Sequence, residues 1–164
     1  MQAIRSSAET ASRMNMLPLR SMLFIPGDSE KKIAKVADCG ADAVIFDLED
    51  SVALENKPMA RELVAAYLKS TPRGSRPMQY WVRVNPFDTG LTLQDLAEII
   101  GGNPDGIMQP KTDNPEDVLQ LSHYLDAFEA AHDLAAGSIK IMPVATETAV
   151  APFSLGEFAY AGLD

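Results

Sequence analysis

After Pro18 the chain alternates five short, β-rich apolar runs with amphipathic stretches, and that alternation leaves few folds open. The runs SMLFIPG (21–27), DAVIFDLE (42–49), QYWVRVN (79–85), GIMQPK (106–111) and IKIMPVATE (139–147) have the length and composition of strands. Between them, residues 29–38, 56–69, 92–100 and 115–134 carry helical periodicity. Strands and helices in strict alternation predict βα units and a parallel sheet. Asn114-Pro115-Glu116-Asp117 opens the fourth helix with an N-cap residue, a proline at the first helical position and acids at the positive end of the helix dipole. SLGEFAYAG, from Ser154, is expected to begin a fifth helix, and TPRGSRP (71–77) to be the loop returning to the third strand.

With 164 residues, 46% of them hydrophobic and 23% charged, the chain has the content of one ordinary globular domain. A formal net charge of −9 argues against a nucleic acid or an anionic membrane surface as partner, because neither is attracted by this field. Small molecules and proteins are the expected partners. Cys39 is the only cysteine, so no internal disulfide is possible and a reducing, cytoplasmic setting is expected, with Cys39 a buried helical thiol. No run of about 18 apolar residues is present to span a membrane. Residues 1–18 lack the apolar centre of a secretory signal and are expected to form a disordered extension, with the folded domain starting at residue 19.

Polar residues gather at one end of every run: Pro26-Gly27-Asp28, Asp47 with Glu49 and Asp50, Arg83 with Asn85, Lys111-Thr112, and Thr146-Glu147-Thr148. In a parallel sheet this is the C-terminal rim, where βα folds place their sites whether the sheet closes into a barrel or stays open and doubly wound. Asp47, Glu49 and Asp50 have two readings. Either they are solvated acids that cap the next helix, or, with Glu147 from another strand, they surround a hard cation such as Mg²⁺. Arg83 follows Trp81-Val82 and must leave the apolar strand at the rim, either to hold a ligand carboxylate through its fork or to pair with a rim acid. Lys111 is a candidate phosphate or carboxylate contact, with a solvated loop lysine as the alternative. His123 and His132 read as surface residues of the fourth helix. PGDSEKK (26–32) feeds a helix start that suits an anion but lacks the glycine pattern of a nucleotide site.

Taken in order, RSMLFIPG (20–27), ADAVIFDLEDSVA (41–53), VRVN (82–85), QPKT (109–112) and ATET (145–148) resemble the HpcH/HpaI aldolase and citrate lyase beta subunit family, which includes malyl-CoA, citramalyl-CoA and citryl lyases. The resemblance covers residues 20–164. It implies a TIM (β/α)8 barrel that makes or breaks a carbon–carbon bond beside a CoA or acyl-carrier thioester with Mg²⁺ as cofactor. It further implies that Glu147 is a direct metal ligand, that Arg83 holds the carboxylate of an oxo-acid such as glyoxylate or oxaloacetate, and that Glu49 and Asp50 surround the waters of the metal. Phe24 and Lys35 match residues that touch CoA in malyl-CoA lyases; Lys111 is a candidate substrate contact from its place at the rim. Members of the family are commonly homotrimers or homohexamers.

Three positions depart from the family pattern. Ser29 stands where an arginine contacts the nucleotide, with Lys31 and Lys32 nearby. Ala151 replaces a common glycine, and the second metal ligand, an aspartate after the sixth strand, is not matched by Asp164. A closed barrel takes at least about 200 residues. The expectation is therefore the first five βα units of an incomplete barrel, the N-terminal part of a longer protein, without lyase activity by itself. Thioester hydrolysis on the same kind of malyl-CoA-like substrate is the alternative outcome, and a non-catalytic interaction module a further one. A phospho-receiver fits less well, since its acids end the first strand and its lysine the fifth, whereas here the acids follow the second run and the lysine the fourth.

Overall fold

The computed structural model describes residues 19–160. The expected extension 1–18 and Asp164 lie outside the described residues. Five strands, β1 (Met22–Pro26), β2 (Ala43–Asp47), β3 (Gln79–Arg83), β4 (Gly106–Gln109) and β5 (Lys140–Pro143), form one sheet. It is parallel throughout, in the order β1-β2-β3-β4-β5. Among the described residues the order never reverses, so they hold no switch point of the doubly wound kind; each strand lies beside its sequence neighbour, as in a barrel wall.

The connections hold α1 (Glu30–Ile33), α2 (Lys57–Ser70), α3 (Thr92–Ile99) and α4 (Pro115–Ala131). Alternate strand residues divide between two clusters. Val44, Phe46, Tyr80, Val82 and Ile107 pack with Val64 and Leu68 of α2, Leu96 of α3 and Leu121 of α4. Each fully buried leucine of that face contributes roughly 1.5–3 kcal/mol. The opposite face carries Ala43, Ile45, Trp81 and Met108, with Met22 and Met142 against them. Trp81 dictates its neighbour there: a Cβ at Gly106 would sit 2.2 Å from the indole, so only glycine lets β4 run beside β3.

Three local expectations change. The stretch 29–38 is one turn of helix, α1, followed by a 3₁₀ turn at Val36–Asp38. Only Ile33 and Val36 are buried there and Ser29 makes no side-chain cap, so nothing extends the helix. Cys39, just after it, is exposed, with its sulfur 3.7 Å from that of Met78, and is not a buried thiol. The segment from residue 151 forms two 3₁₀ turns, Ala151–Phe153 and Glu157–Tyr160, instead of the start of an α-helix. α4 starts as its sequence dictates, with Asn114 Oδ1 accepting from the Asp117 N–H at 3.0 Å and Pro115 at the first position. Among the described residues no helix is long and apolar enough to cross a membrane.

At the N-terminal ends of the strands, the return loop 71–77 supplies two arginines to Asp105. Arg73 Nε lies 2.9 Å and Arg76 Nη1 3.2 Å from its carboxylate. The Tyr80 N–H donates to the same group at 2.8 Å. Arg76 is almost fully buried and gives its other N–H groups to the carbonyls of Thr71, Gly102 and Asn103, all at 2.8 Å, while its guanidinium lies 5.0 Å from the Tyr80 ring centre.

Candidate active site

Register places Asp47, the last residue of β2, beside Arg83, the last of β3. Arg83 donates through Nε and Nη2 to the two oxygens of Asp47, both at 2.8 Å. Asp47 also accepts the backbone N–H of Glu49 at 2.9 Å and of Ser51 at 3.0 Å, which shapes the turn after β2. Burial pushes the Asp47 carboxyl up, but Arg83 and these turn donors outweigh it and hold it below the usual range; the same pair raises Arg83. Asp47 is thus neither solvated nor free for a ligand. It fixes one edge of the guanidinium.

The remaining nitrogen, Nη1, faces three other acids. It lies 3.1 Å from Glu49 Oε2, 3.9 Å from Asp50 Oδ2 and 4.0 Å from Glu147 Oε1. The contact with Glu49 is close but poorly aligned, so Glu49 Oε2 is buried without a hydrogen bond. Lys111 closes the group from the other side. Its ammonium donates to Glu49 Oε1 at 2.7 Å, and its backbone N–H donates to Glu147 Oε2 at 2.7 Å. The Glu49 contact raises the Lys111 ammonium above its usual value. To make both contacts Lys111 adopts φ 50°, the left-handed region that a side chain occupies at a cost of about 1–2 kcal/mol. The Phe24 ring of β1 lies 4.8 Å under the Arg83 guanidinium, a cation–π contact. The Thr148 hydroxyl donates to Asp113 and ties the segment bearing Glu147 to the loop after β4.

Phe24, Glu49, Asp50, Arg83, Lys111 and Glu147 therefore meet at one place, contributed by all five strand ends. Their exposure differs sharply: the side chain of Glu49 is 4% exposed and that of Asp50 63%. Lys35 is exposed just after α1 and makes no ion pair with this group among the described residues.

A second layer underlies the cluster. Lys57 of α2 donates to the carbonyls of Leu48 and Glu49 at 2.8 and 2.9 Å, and burial lowers its ammonium. The amide nitrogen of Asn85 donates to Leu48 O at 3.0 Å and to Asp95 at 2.7 Å. Arg61 pairs with Asp95 at 2.6 Å. These residues fix the peptide that carries Glu49. A signal for them exists in the sequence, since Lys57 and Arg61 continue the 57-61-64-68 stripe that α2 buries.

Four carboxylates, Asp47, Glu49, Asp50 and Glu147, thus contact two side-chain cations, Arg83 and Lys111. The cluster carries a formal charge of −2. No three His, Cys, Asp or Glu side chains among the described residues are arranged to hold a metal ion by themselves. The donor chemistry nevertheless suits Mg²⁺, which takes oxygen ligands, one or two carboxylates and several waters. Glu49 Oε2, orphaned, and Glu147 Oε1, 4.0 Å from its cation, are the acceptors such an ion would satisfy.

The sequence profile of the HpcH/HpaI aldolase/citrate lyase family matches residues 20–157. The citrate lyase subunit beta of Haemophilus influenzae is 37% identical over 123 residues, 75% of this chain and 42% of that protein. A (3S)-malyl-CoA thioesterase of Cereibacter sphaeroides is 42% identical over 101 residues, 62% of this chain and 35% of that one. Among solved structures, protein CitE from Mycobacterium tuberculosis in complex with magnesium and acetate superposes with a TM-score of 0.59 at 29% identity, over 86% of this chain and 50% of that one. The chain belongs to the HpcH/HpaI aldolase/citrate lyase family. It spans half or less of the length of these relatives.

Proposed function

We propose that the rim is one side of the active site of a Mg²⁺-dependent carbon–carbon lyase built on a (β/α)8 barrel, of which residues 19–164 supply the first five βα units. The substrate is a hydroxyacyl thioester of CoA or an acyl carrier, and cleavage releases an oxo-acid such as glyoxylate or oxaloacetate in the cytoplasm. The observation that carries this reading is the charge deficit: four carboxylates against two cations, with a buried carboxylate oxygen left without a hydrogen bond. An anionic oxo-acid would be repelled by such a cluster, and a divalent ion neutralises it.

Glu147 would hold the ion directly, with Glu49 and Asp50 around its waters. When bound, Mg²⁺ polarises the oxo-acid carbonyl as a Lewis acid. The work of the chain is orientation. Asp47 occupies one edge of Arg83, so the Nη1 side is what remains to meet a substrate carboxylate, and the Phe24 ring backs the guanidinium. Lys111 holds Glu49 and Glu147 together across the strand ends. The exposed Lys35 is available to the phosphates of the CoA arm.

The 42% identity to a malyl-CoA thioesterase favours a second outcome, hydrolysis of the thioester. Products separate the two on malyl-CoA: cleavage gives glyoxylate and acetyl-CoA, hydrolysis gives malate and CoA. The primary test is a calorimetric Mg²⁺ titration with glyoxylate present, on the chain and on Glu147→Gln. Binding by the first and its loss in the second is expected. Absence of Mg²⁺ binding by the folded, unsubstituted chain overturns the assignment of the ion to these residues.

A further inference from the structure

From the cluster a cleft of about 300 Å³ opens between the segment after β2 and the segment after β3, and its far end has no part in the chemistry above. One end is the cluster itself, through Glu49, Asp50 and Lys111; the other is walled by Leu54, Pro86 and Leu91. Leu54 is 70% exposed and, with Pro86 and Leu91, gives this wall an aliphatic surface beside three charged residues. The polar groups at the apolar end are already committed. The Thr89 hydroxyl donates to Pro86 O at 2.6 Å and accepts from the Leu91 N–H at 3.2 Å. The Asn85 amide is held by Leu48 O and Asp95. What faces the cleft there is hydrocarbon, and what faces it at the cluster is charge, the arrangement of a pocket for a short chain with one ionic end.

We infer that this cleft receives the alkyl substituent at C2 of the oxo-acid, so that the site selects 2-oxo acids bearing an aliphatic chain over glyoxylate, which has only hydrogen there. The inference rests on the proposed function, because the carboxylate and carbonyl must first be held at the Arg83–Glu147 cluster. The chain then extends past Glu49 and Lys111 onto Leu54 and Leu91. Burial of each methylene tightens binding about fourfold.

The test is calorimetry at saturating Mg²⁺ with glyoxylate, pyruvate, 2-oxobutanoate and 2-oxopentanoate. The Kd is expected to fall about fourfold for each methylene from pyruvate onward. Leu54→Asn, at an exposed position, and Leu91→Ala are both expected to flatten that gradient to less than about twofold per methylene, with thermal melting used to confirm the fold. Binding of glyoxylate with no gain along the series, or a gradient that survives both substitutions, overturns the inference and leaves the proposed function standing. Failure of all four acids to bind overturns the proposed function, and this inference with it.

Discussion

Asp105, at the N-terminal ends of the strands, is held by two arginines whose other N–H groups close onto backbone carbonyls; at the C-terminal ends, four carboxylates share Arg83 and Lys111. Asp105 and Glu49 are both largely out of water, yet only Asp105 has both carboxylate oxygens hydrogen-bonded. Around Asp105 two cations from one loop meet a single carboxylate whose two oxygens are both hydrogen-bonded, and the arrangement fastens loop 71–77 to the sheet. Around Glu49 the charges are in surplus, an oxygen is orphaned and a lysine is held in left-handed backbone. A carboxylate whose oxygens are all hydrogen-bonded fastens the fold; surplus acids with an unsatisfied oxygen are what the proposed ion would complete.

The contrast is broken most severely by Arg76→Met. Removing this cation leaves Asp105 half-paired and three carbonyls without donors, and a loss of about 3–5 kcal/mol in urea unfolding is expected. Asp47→Asn should cost about 2–3 kcal/mol near neutral pH, since it removes charge from both bonds to Arg83. It should also change the acid limb. The folded-state pKa of Asp47 lies below the unfolded value of about 3.9, so its contribution is complete above that pH and is lost as pH falls through the folded-state value. The variant is therefore expected to lose stability less steeply than the parent below about pH 4.

Smaller effects sharpen the comparison. Lys111→Ala and Lys111→Gly both lose the ion pair to Glu49, but only glycine relieves the φ of 50°, so the glycine variant should be the more stable by about 1 kcal/mol in thermal melting. Glu147→Gln, partly exposed and one acid fewer in an acid-rich group, should alter stability by less than about 0.5 kcal/mol. It should nonetheless weaken Mg²⁺ binding at least about tenfold, since second-sphere changes alone cost about that much and this acid is the proposed direct ligand. Binding lost without stability lost is the signature that separates this rim from the Asp105 end.

Much of this architecture is legible in the order of residues alone. Five strands fall within the five apolar runs, α4 begins at its predicted cap, and the rim residues converge because parallel strands of similar length must end together. What is not legible has physical reasons. Residues 29–38 satisfy helical periodicity over fewer than three turns, too few to resist tertiary demands, and fold as α1 and a 3₁₀ turn. The pairing of Asp47 with Arg83 depends on register across 36 positions of sequence, so Asp47 reads as one acid of three when it is the anchor of the arginine. Asp95 and Asn85 escape a reading of the pattern because charged and polar residues on a buried face look like errors in it until their partners are known.

The indole that forces glycine into β4 has a further consequence. Trp81 is the only tryptophan in the chain, 5% exposed, with its ring N–H held by Gln79 Oε1 at 2.9 Å, and it lies two residues from Arg83 on the same face of β3. All tryptophan emission therefore originates from a single fluorophore next to the charged rim. Its wavelength reports the polarity of that sheet face, and its intensity reports whatever comes to rest beside the guanidinium, so the protein carries an intrinsic optical probe of its own site.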